Sequence, residues 1–164
     1  MSNLASMVQT IRRYGVTDKR MVRAIEQVDR RAFVPSRCRL LAYEDRALPI
    51  GFGQTISQPY TVARMIELLI ENLKFKIQNS KILEVGTGSG WQTAILSRLF
   101  DQVYSVEIIE ELFRRAKLKM ENLKIKNVDI IIGDGKLVWP RHAPYLAVIV
   151  AADADEVPPE LIIQ

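Results

Sequence analysis

The sequence has one cysteine, one histidine and no long apolar run. The single cysteine, Cys38, excludes an internal disulfide framework and cannot by itself form a zinc site. No stretch approaches the roughly 20 apolar residues of a membrane span, and the N-terminus lacks the apolar core of a secretory signal. These absences predict a cytoplasmic protein that is neither exported nor embedded in a membrane.

Positive charge is concentrated near the N-terminus. Residues 1–39 hold nine Lys or Arg against three Asp or Glu, in a chain of net charge +4. Such a bias can attract nucleic acid. The charges are spread along apparent amphipathic helices instead of forming a block, which favours a solvated helical face.

The pattern of apolar residues predicts a single α/β domain, 1–164, since 48% of the residues are hydrophobic and no linker divides them. Two N-terminal stretches, 3–14 and 18–30, have helical spacing. From residue 80, four short runs rich in Val and Ile alternate with longer amphipathic segments; the runs are KILEVG, QVYSVE, VDIIIG and YLAVIV. This order predicts a mostly parallel sheet with helices on both faces and an N-terminal helical extension.

Segment 47–60, ALPIGFGQTISQPY, interrupts these patterns. It contains two prolines and two glycines, at Pro49, Gly51, Gly53 and Pro59. These residues disrupt the interior of both helices and strands. We therefore expect an irregular loop that leads into a helix beginning near the second proline, where proline is well tolerated.

A glycine-rich turn follows the first predicted strand of the sheet. ILEVGTGSGW places Gly86, Gly88 and Gly90 between a strand and a helix, where an unhindered backbone can approach a ligand and the helix N-terminus offers free amide donors. A dinucleotide fingerprint needs a small residue where Trp91 stands, which disfavours NAD.

Acidic residues follow or end the next two strands. Glu107 ends QVYSVE, at a position where a carboxylate can accept hydrogen bonds from two ribose hydroxyls. The sequence GDG, at 133–135, follows the third strand. Because open α/β sheets bind ligands at the carboxyl ends of their strands, these turns predict a site for a nucleoside-type ligand.

These segments are similar to those of a known family. ILEVGTGSGW, VYSVE and GDG resemble the cofactor motifs of S-adenosylmethionine-dependent methyltransferases with a Rossmann-like sheet. LPIGFGQTISQPY resembles the signature loop of protein-L-isoaspartate O-methyltransferases, and the resemblance extends from the N-terminal helices to Gln164. It implies N-terminal helices with an active-site loop in 1–60 and a cofactor-binding part in 61–164.

The resemblance implies protein repair by methylation of isoaspartyl-containing proteins and peptides, with S-adenosylmethionine as cofactor and S-adenosylhomocysteine as product. Ser57 matches the active-site serine of the family. The implied cofactor-binding residues are Glu84, Gly86, Thr87, Gly88, Ser89, Gly90, Glu107, Gly133, Asp134 and Gly135. The implied substrate-binding residues are Gln54, Thr55, Ile56, Ala151 and Ala152. We expect a monomer, with no bound metal, nucleic acid or membrane.

Ser57 is a poor candidate for an activated nucleophile. The only histidine is His142, and no nucleophile-elbow sequence surrounds the serine. The reaction of the family needs no general base, because the α-carboxylate of an L-isoaspartyl residue is already ionised at neutral pH. We therefore predict that Ser57 orients this carboxylate.

The sequence departs from the family pattern near its C-terminus. Asp153 and Asp155 stand in place of small or proline-like residues, and Leu146 occupies a position where the family usually has aspartate. Carboxylates that face the substrate would repel it. The family normally continues with further strands, so the resemblance implies that these strands are missing here and that an exposed sheet edge favours association.

Two alternative functions remain open at this point. A cofactor-binding relic would retain the glycine turn and Glu107 but would not methylate a substrate. A nucleic-acid methyltransferase would use the basic residues 1–39 to reach its target. Against this alternative, the sequence has no amino-methylating motif of the N/D-P-P-Y/F type, and Cys38 does not follow a strand as a cytosine nucleophile would.

Overall fold

The computed structural model describes residues 3–73, 80–137, 139–153 and 159. Within them the α-helices are α1 (Leu4–Arg13), α2 (Lys19–Glu26), α3 (Pro59–Asn72), α4 (Trp91–Leu96) and α5 (Glu110–Asn122). The strands are β1 (Leu48–Gly51), β2 (Gln54–Ile56), β3 (Lys81–Val85), β4 (Gln102–Glu107), β5 (Val128–Ile132) and β6 (Ala147–Val150). Strands β5-β4-β3-β6 form a parallel sheet in that order, and β1 pairs with β2 in an antiparallel hairpin. The predicted Rossmann-like fold with an N-terminal helical extension is confirmed.

The two N-terminal helices begin at side chains that cap free backbone N–H groups. Asn3 forms a reciprocal capping box at the start of α1, and Asp18 accepts hydrogen bonds from two N–H groups of α2. The predicted helix 18–30 is interrupted, because Asp29 caps a separate 3-10 helix, Arg30–Phe33. This break places the first residue of the 3-10 helix in the interior of the protein.

The two faces of the parallel sheet are covered differently. Ile82 and Val103 belong to a large core that also contains buried residues of all five α-helices. Leu83 and Tyr104 alternate with them and belong to a smaller cluster on the other face. The 3-10 helix Pro140–His142 lies against this second cluster, and its histidine ring stacks on Tyr104 with ring centroids 4.2 Å apart.

Segment 47–60 contains regular structure that the sequence did not predict. Leu48 pairs with Ile56 across the β1–β2 hairpin, so the expectation of an irregular loop was wrong. The turn residue Phe52 has a φ of 56° and is flanked by two glycines with φ of 100° and 71°. These positive φ values close a short hairpin, so the glycines that disrupt a long strand are the residues that this turn requires. The exposed Phe52 ring lies 5.4 Å from the guanidinium carbon of Arg115 in α5.

The C-terminal departures from the family pattern are only partly described. Leu146 is half-buried against the large core, and its backbone N–H donates to the carbonyl of Lys81 at 2.8 Å. Asp155 lies outside the described residues. None of the helices within the described ranges is long and apolar enough to cross a membrane.

Candidate active site

Three turns at the C-terminal edge of the parallel sheet form the base of the site. The backbone N–H groups of Gly86, Gly133 and Ala151 donate to carbonyl groups at the ends of neighbouring strands, at 2.9, 2.9 and 2.8 Å. These hydrogen bonds continue the parallel ladder beyond the strands themselves. They bring together the ends of β3, β4 and β5, where the sequence predicted a nucleoside site, and the end of β6 beside them.

The glycine turn, residues 86–90, requires glycine where neighbouring elements approach it. Gly86 has a φ of 92°, and a Cβ atom at this position would lie 3.0 Å from the backbone of Ala151. Gly90 has a φ of 83°, and a Cβ atom there would lie 2.9 Å from Cε of Met120 in α5. A side chain at either position would be conformationally strained and would push against the end of β6 or against α5.

Glu107 holds the glycine turn through its carboxylate. One carboxylate oxygen accepts a hydrogen bond from the backbone N–H of Gly88 at 2.7 Å, and the other accepts one from Ile109 at 2.9 Å. Because a carboxylate offers about four acceptor positions, two remain for further donors. Glu107 therefore fits the predicted role of a ribose ligand without giving up its structural contacts.

Glu84 lies behind the glycine turn and is fully buried. Its carboxylate accepts hydrogen bonds from Gln92, Thr93 and Ser105 at 3.0, 2.5 and 2.7 Å. The Ser105 hydroxyl is in turn 2.5 Å from the Thr87 hydroxyl of the glycine turn. Burial raises the pKa of Glu84 to about 7, although the three hydrogen bonds to the carboxylate act in the opposite direction. This network joins β3, β4 and α4 to the turn.

A cavity of about 680 Å³ opens above these turns. Its size is within the range of ligand pockets. The hairpin segment, residues 47–60, contributes one part of its lining, and the glycine turn and the other strand ends contribute the rest. The predicted site residues that line it are Gln54, Thr55, Ile56, Ser57, Gly86, Thr87, Gly88, Ser89, Glu107, Gly133, Asp134, Gly135, Ala151 and Ala152.

Two predicted cofactor contacts lie behind the wall of this cavity instead of on its surface. The carboxylate of Glu84 is directed into the polar network between β3, β4 and α4. Gly90 is buried at the start of α4, where its lack of a side chain allows contact with α5. Both residues therefore shape the glycine turn, and their contact with the cofactor stays a prediction.

Sequence reasoning missed an apolar wall beside Glu107. Ile108 is 67% exposed, and Ile109 and Leu112 line the same side of the cavity. The available signal was the pair of isoleucines between a strand and a helix, where small polar residues are usual. An exposed isoleucine at a ligand cavity provides an apolar surface for a flat group.

Two residues of opposite charge at the cavity were also not assigned to the site by sequence. Lys136 and Asp153 are both exposed and both line the cavity. Asp153 is one of the two carboxylates that depart from the family pattern. The structure therefore places at least this carboxylate at the cavity.

Ser57 lies between β2 and α3 and lines the cavity together with the glycine turn. Its side chain is half-buried, and within the described part of the chain no residue forms a hydrogen bond with its hydroxyl. Its backbone carbonyl accepts a hydrogen bond from Nη2 of Arg30 at 2.9 Å. The hydroxyl is therefore available to a ligand, while the backbone is held from the interior.

Comparisons with known proteins agree with this geometry. The model of the family described as Protein-L-isoaspartate(D-aspartate) O-methyltransferase matches residues 2–164. Protein-L-isoaspartate O-methyltransferase of Chlorobaculum parvum is 49% identical over 158 residues, which are 96% of this chain and 70% of that protein. Protein-L-isoaspartate O-methyltransferase 2 of Pelobacter propionicus is 49% identical over 150 residues, which are 92% of this chain and 64% of that protein.

Solved structures give the same result. One named as a protein-L-isoaspartate O-methyltransferase has a TM-score of 0.87 at 30% identity, and the match covers 99% of this chain and 52% of that one. A Plasmodium falciparum structure of the same description, in complex with S-adenosyl-L-homocysteine, has a TM-score of 0.84 at 26% identity. The match covers 79% of the length of that chain. The chain thus spans part of the length of the proteins it matches. It belongs to the protein-L-isoaspartate O-methyltransferase family, whose members are S-adenosylmethionine-dependent protein carboxyl methyltransferases.

Proposed function

We propose that this chain transfers a methyl group from S-adenosylmethionine to the α-carboxylate of L-isoaspartyl residues in damaged proteins and peptides. The observation that carries the proposal is the shared cavity, in which Ser57 of the hairpin segment faces the glycine turn and Glu107. One wall suits a nucleoside and the other suits a carboxylate. Membership of the family supports the same reaction.

The cofactor side of the cavity fits S-adenosylmethionine. Gly86, Thr87 and Gly88 would line the methionine and ribose region, Glu107 would accept the ribose hydroxyls, and Asp134 would face the adenine. When bound, the cofactor supplies an electrophilic methyl group on a sulfonium centre. The residues of the turn hold this group in one place because their own positions are fixed by hydrogen bonds to the sheet.

The substrate side needs geometry more than acid or base chemistry. An α-carboxylate with an ordinary pKa is ionised at neutral pH, so no side chain has to remove a proton. Ser57 and Thr55 carry hydroxyls at the cavity wall that can donate to one carboxylate oxygen and leave the other free to attack. Holding the reacting atoms at near-contact distance accounts for a large part of the rate enhancement in such reactions.

The arrangement does not support a hydrolase. His142 stacks on Tyr104 and does not line the cavity, so it is not placed to activate Ser57. The methyl ester made by the proposed reaction would instead collapse to a succinimide: the neighbouring backbone nitrogen attacks the ester carbonyl carbon and loses its proton, and methanol leaves. Hydrolysis of the succinimide returns some normal aspartyl linkage, which makes the methylation a repair step.

We place this activity in the cytoplasm, where the buried thiol of Cys38 remains reduced.

The direct test is transfer of labelled methyl from S-adenosylmethionine to a short L-isoaspartyl peptide and, in parallel, to its normal aspartyl twin. Circular dichroism would first establish that the protein is folded. Methylation of the isoaspartyl peptide alone is the expected result. A folded protein that binds S-adenosylhomocysteine but methylates neither peptide would overturn the proposal and favour the cofactor-binding relic.

A further inference from the structure

Arg30 is a fully buried arginine whose hydrogen bonds all go to backbone carbonyl groups. Nη1 donates to Ala42 and Glu44 at 2.8 and 3.4 Å, and Nη2 donates to Arg46 and Ser57, both at 2.9 Å. Among the described residues no carboxylate forms an ion pair with it. Burial lowers the pKa of Arg30 to about 10, and the charge of nearby Asp45 offsets this only in part, so holding the guanidinium in the interior costs stability.

The guanidinium of Arg30 also lies beside the start of α4. Its Nε is buried and makes no hydrogen bond within the described part of the chain. The guanidinium carbon lies 5.2 Å from the ring centroid of Trp91, which is the first residue after the glycine turn. The Trp91 indole N–H donates in turn to the carbonyl of Val28 at 3.3 Å. Arg30 therefore contacts the backbone of Ser57 on one side and the helix that follows the glycine turn on the other.

Asp45 holds the hairpin segment from a second direction. Its carboxylate accepts a hydrogen bond from the Gln58 side chain and another from the backbone N–H of Tyr60, both at 2.8 Å. Gln58 directly follows Ser57, and Tyr60 lies in the first turn of α3. The backbone around Ser57 is thus fixed by contacts from Arg30 and Asp45, neither of which lines the cavity.

We propose that Arg30 is a positioning residue for methyl transfer, which fixes the Ser57 backbone relative to Trp91 and so sets the separation between the two walls of the cavity. This inference rests on the proposed function, because it gives Ser57 the role of orienting the substrate carboxylate. A misplacement of about 1 Å can lower the rate of a reaction about 100-fold. Arg30 thereby affects the rate without touching either ligand.

The first test is Arg30→Lys. Lysine keeps the positive charge, but a single ammonium group cannot reach all four carbonyl groups that the guanidinium spans. We expect kcat for an isoaspartyl peptide to fall about 10-fold to 100-fold, with the affinity for S-adenosylhomocysteine within about threefold of wild type. Arg31→Lys is the matched control, since Arg31 is exposed and pairs with Asp29 on the surface, and it should retain wild-type kcat.

A double-mutant cycle separates positioning from general structural support. If Arg30 acts through Ser57, then Arg30→Lys should reduce the residual activity of Ser57→Ala less than about twofold, because the positioned hydroxyl is already absent. A structural role independent of Ser57 predicts the same fold loss in both backgrounds. That additive result, or a wild-type kcat in Arg30→Lys, would overturn the inference.

Asp45→Asn provides the same cycle if Arg30→Lys does not fold. Asparagine keeps the size and one acceptor oxygen of Asp45, so we expect a smaller loss of kcat that again largely disappears in the Ser57→Ala background. An additive cycle for this variant would also contradict positioning through Ser57. Lack of methyl transfer by the wild-type protein would instead overturn the proposed function and, with it, this inference.

Discussion

The two sides of the cavity are held in place by different means. The glycine turn is anchored by Glu84 and Glu107, two carboxylates that project from adjacent strands of the sheet. The hairpin segment is anchored by Arg30 and Asp45, which lie in the irregular region between α2 and β1. The cofactor side is thus an extension of the sheet, whereas the substrate side depends on side chains that cross between loops.

This difference implies that the two sides can be perturbed separately. Substitutions in the sheet-anchored network should affect cofactor binding and the stability of the fold, because the same hydrogen bonds serve both. Substitutions on the hairpin side should affect the use of the peptide substrate. Four substitutions, taken in order of expected effect, test this separation.

Glu107→Ala should cause the largest effect. It removes the acceptor of the Gly88 and Ile109 N–H groups and the expected acceptor of the ribose hydroxyls. Hydrogen bonds to a charged group contribute about 1.5–3 kcal/mol each, so the affinity for S-adenosylhomocysteine should fall about 100-fold or more by calorimetry. Glu110→Ala removes only an exposed ion pair with Arg114 and serves as the control. Affinity equal to that of the control would show that Glu107 does not hold the cofactor.

Glu84 gives the cofactor side a pH dependence. Because burial raises its pKa to about 7 from the usual 4.5, ionisation is less favourable in the folded than in the unfolded state. The free energy of unfolding of wild type relative to Glu84→Gln should therefore fall as pH rises from about 4.5 to 7, by up to about 3 kcal/mol, and level off above that range. Urea unfolding of both proteins at pH 5, 6.5 and 8 measures this difference. The contributions of the other carboxylates are the same in both proteins and therefore cancel. A difference that rises with pH would contradict the assignment.

Ser57→Ala should affect the substrate side alone. Loss of the orienting hydroxyl is expected to lower kcat/KM for the isoaspartyl peptide about 10-fold to 100-fold, because the carboxylate is no longer aligned. The affinity for S-adenosylhomocysteine should stay within about twofold. Ser97→Ala is a matched control, since the Ser97 hydroxyl donates to the backbone carbonyl of Ala94 and Ser97 does not line the cavity. Equal losses of cofactor affinity in Ser57→Ala and Glu107→Ala would break the separation between the two sides.

Asp153→Asn should have the smallest effect and the opposite sign. The substitution removes a negative charge from the cavity wall, where it repels an incoming carboxylate. Because the side chain is exposed, solvent screening limits the gain, and KM for the isoaspartyl peptide should fall about twofold to threefold. Asp129→Asn, on the exposed side of β5, should leave KM unchanged. An increase in KM in the first variant would show that Asp153 assists binding.

The residues that line both sides of the cavity were largely predicted from the sequence, but the contacts that hold the substrate side in place were not. Strand ends carry a local signal, because apolar runs end at glycine or carboxylate residues such as Gly86 and Glu107. The glycine-turn motif does not show where the Glu84 side chain points. That direction depends on the β3–β4 register, which places Ser105 beside Glu84. The β1–β2 hairpin was missed because its glycines disrupt a long strand but are suited to a turn with positive φ.

The anchors of the substrate side gave no sequence signal at all. Arg30 resembles its exposed neighbour Arg31 in sequence, and only the break between α2 and the following 3-10 helix turns it inward. Its partners are backbone carbonyl groups as many as 27 positions away, which no side-chain pattern reveals. Positioning by backbone acceptors is thus visible only in three dimensions.

A crystal structure of the protein with S-adenosylhomocysteine and an isoaspartyl peptide would test the separation of the two sides most directly. The account predicts that the ribose hydroxyls lie on Glu107 and that the peptide α-carboxylate accepts a hydrogen bond from the Ser57 hydroxyl, at about 2.7 Å. The same structure should show Arg30 still bonded to the Ser57 carbonyl. A peptide carboxylate paired with Lys136 and out of reach of Ser57 would contradict the account.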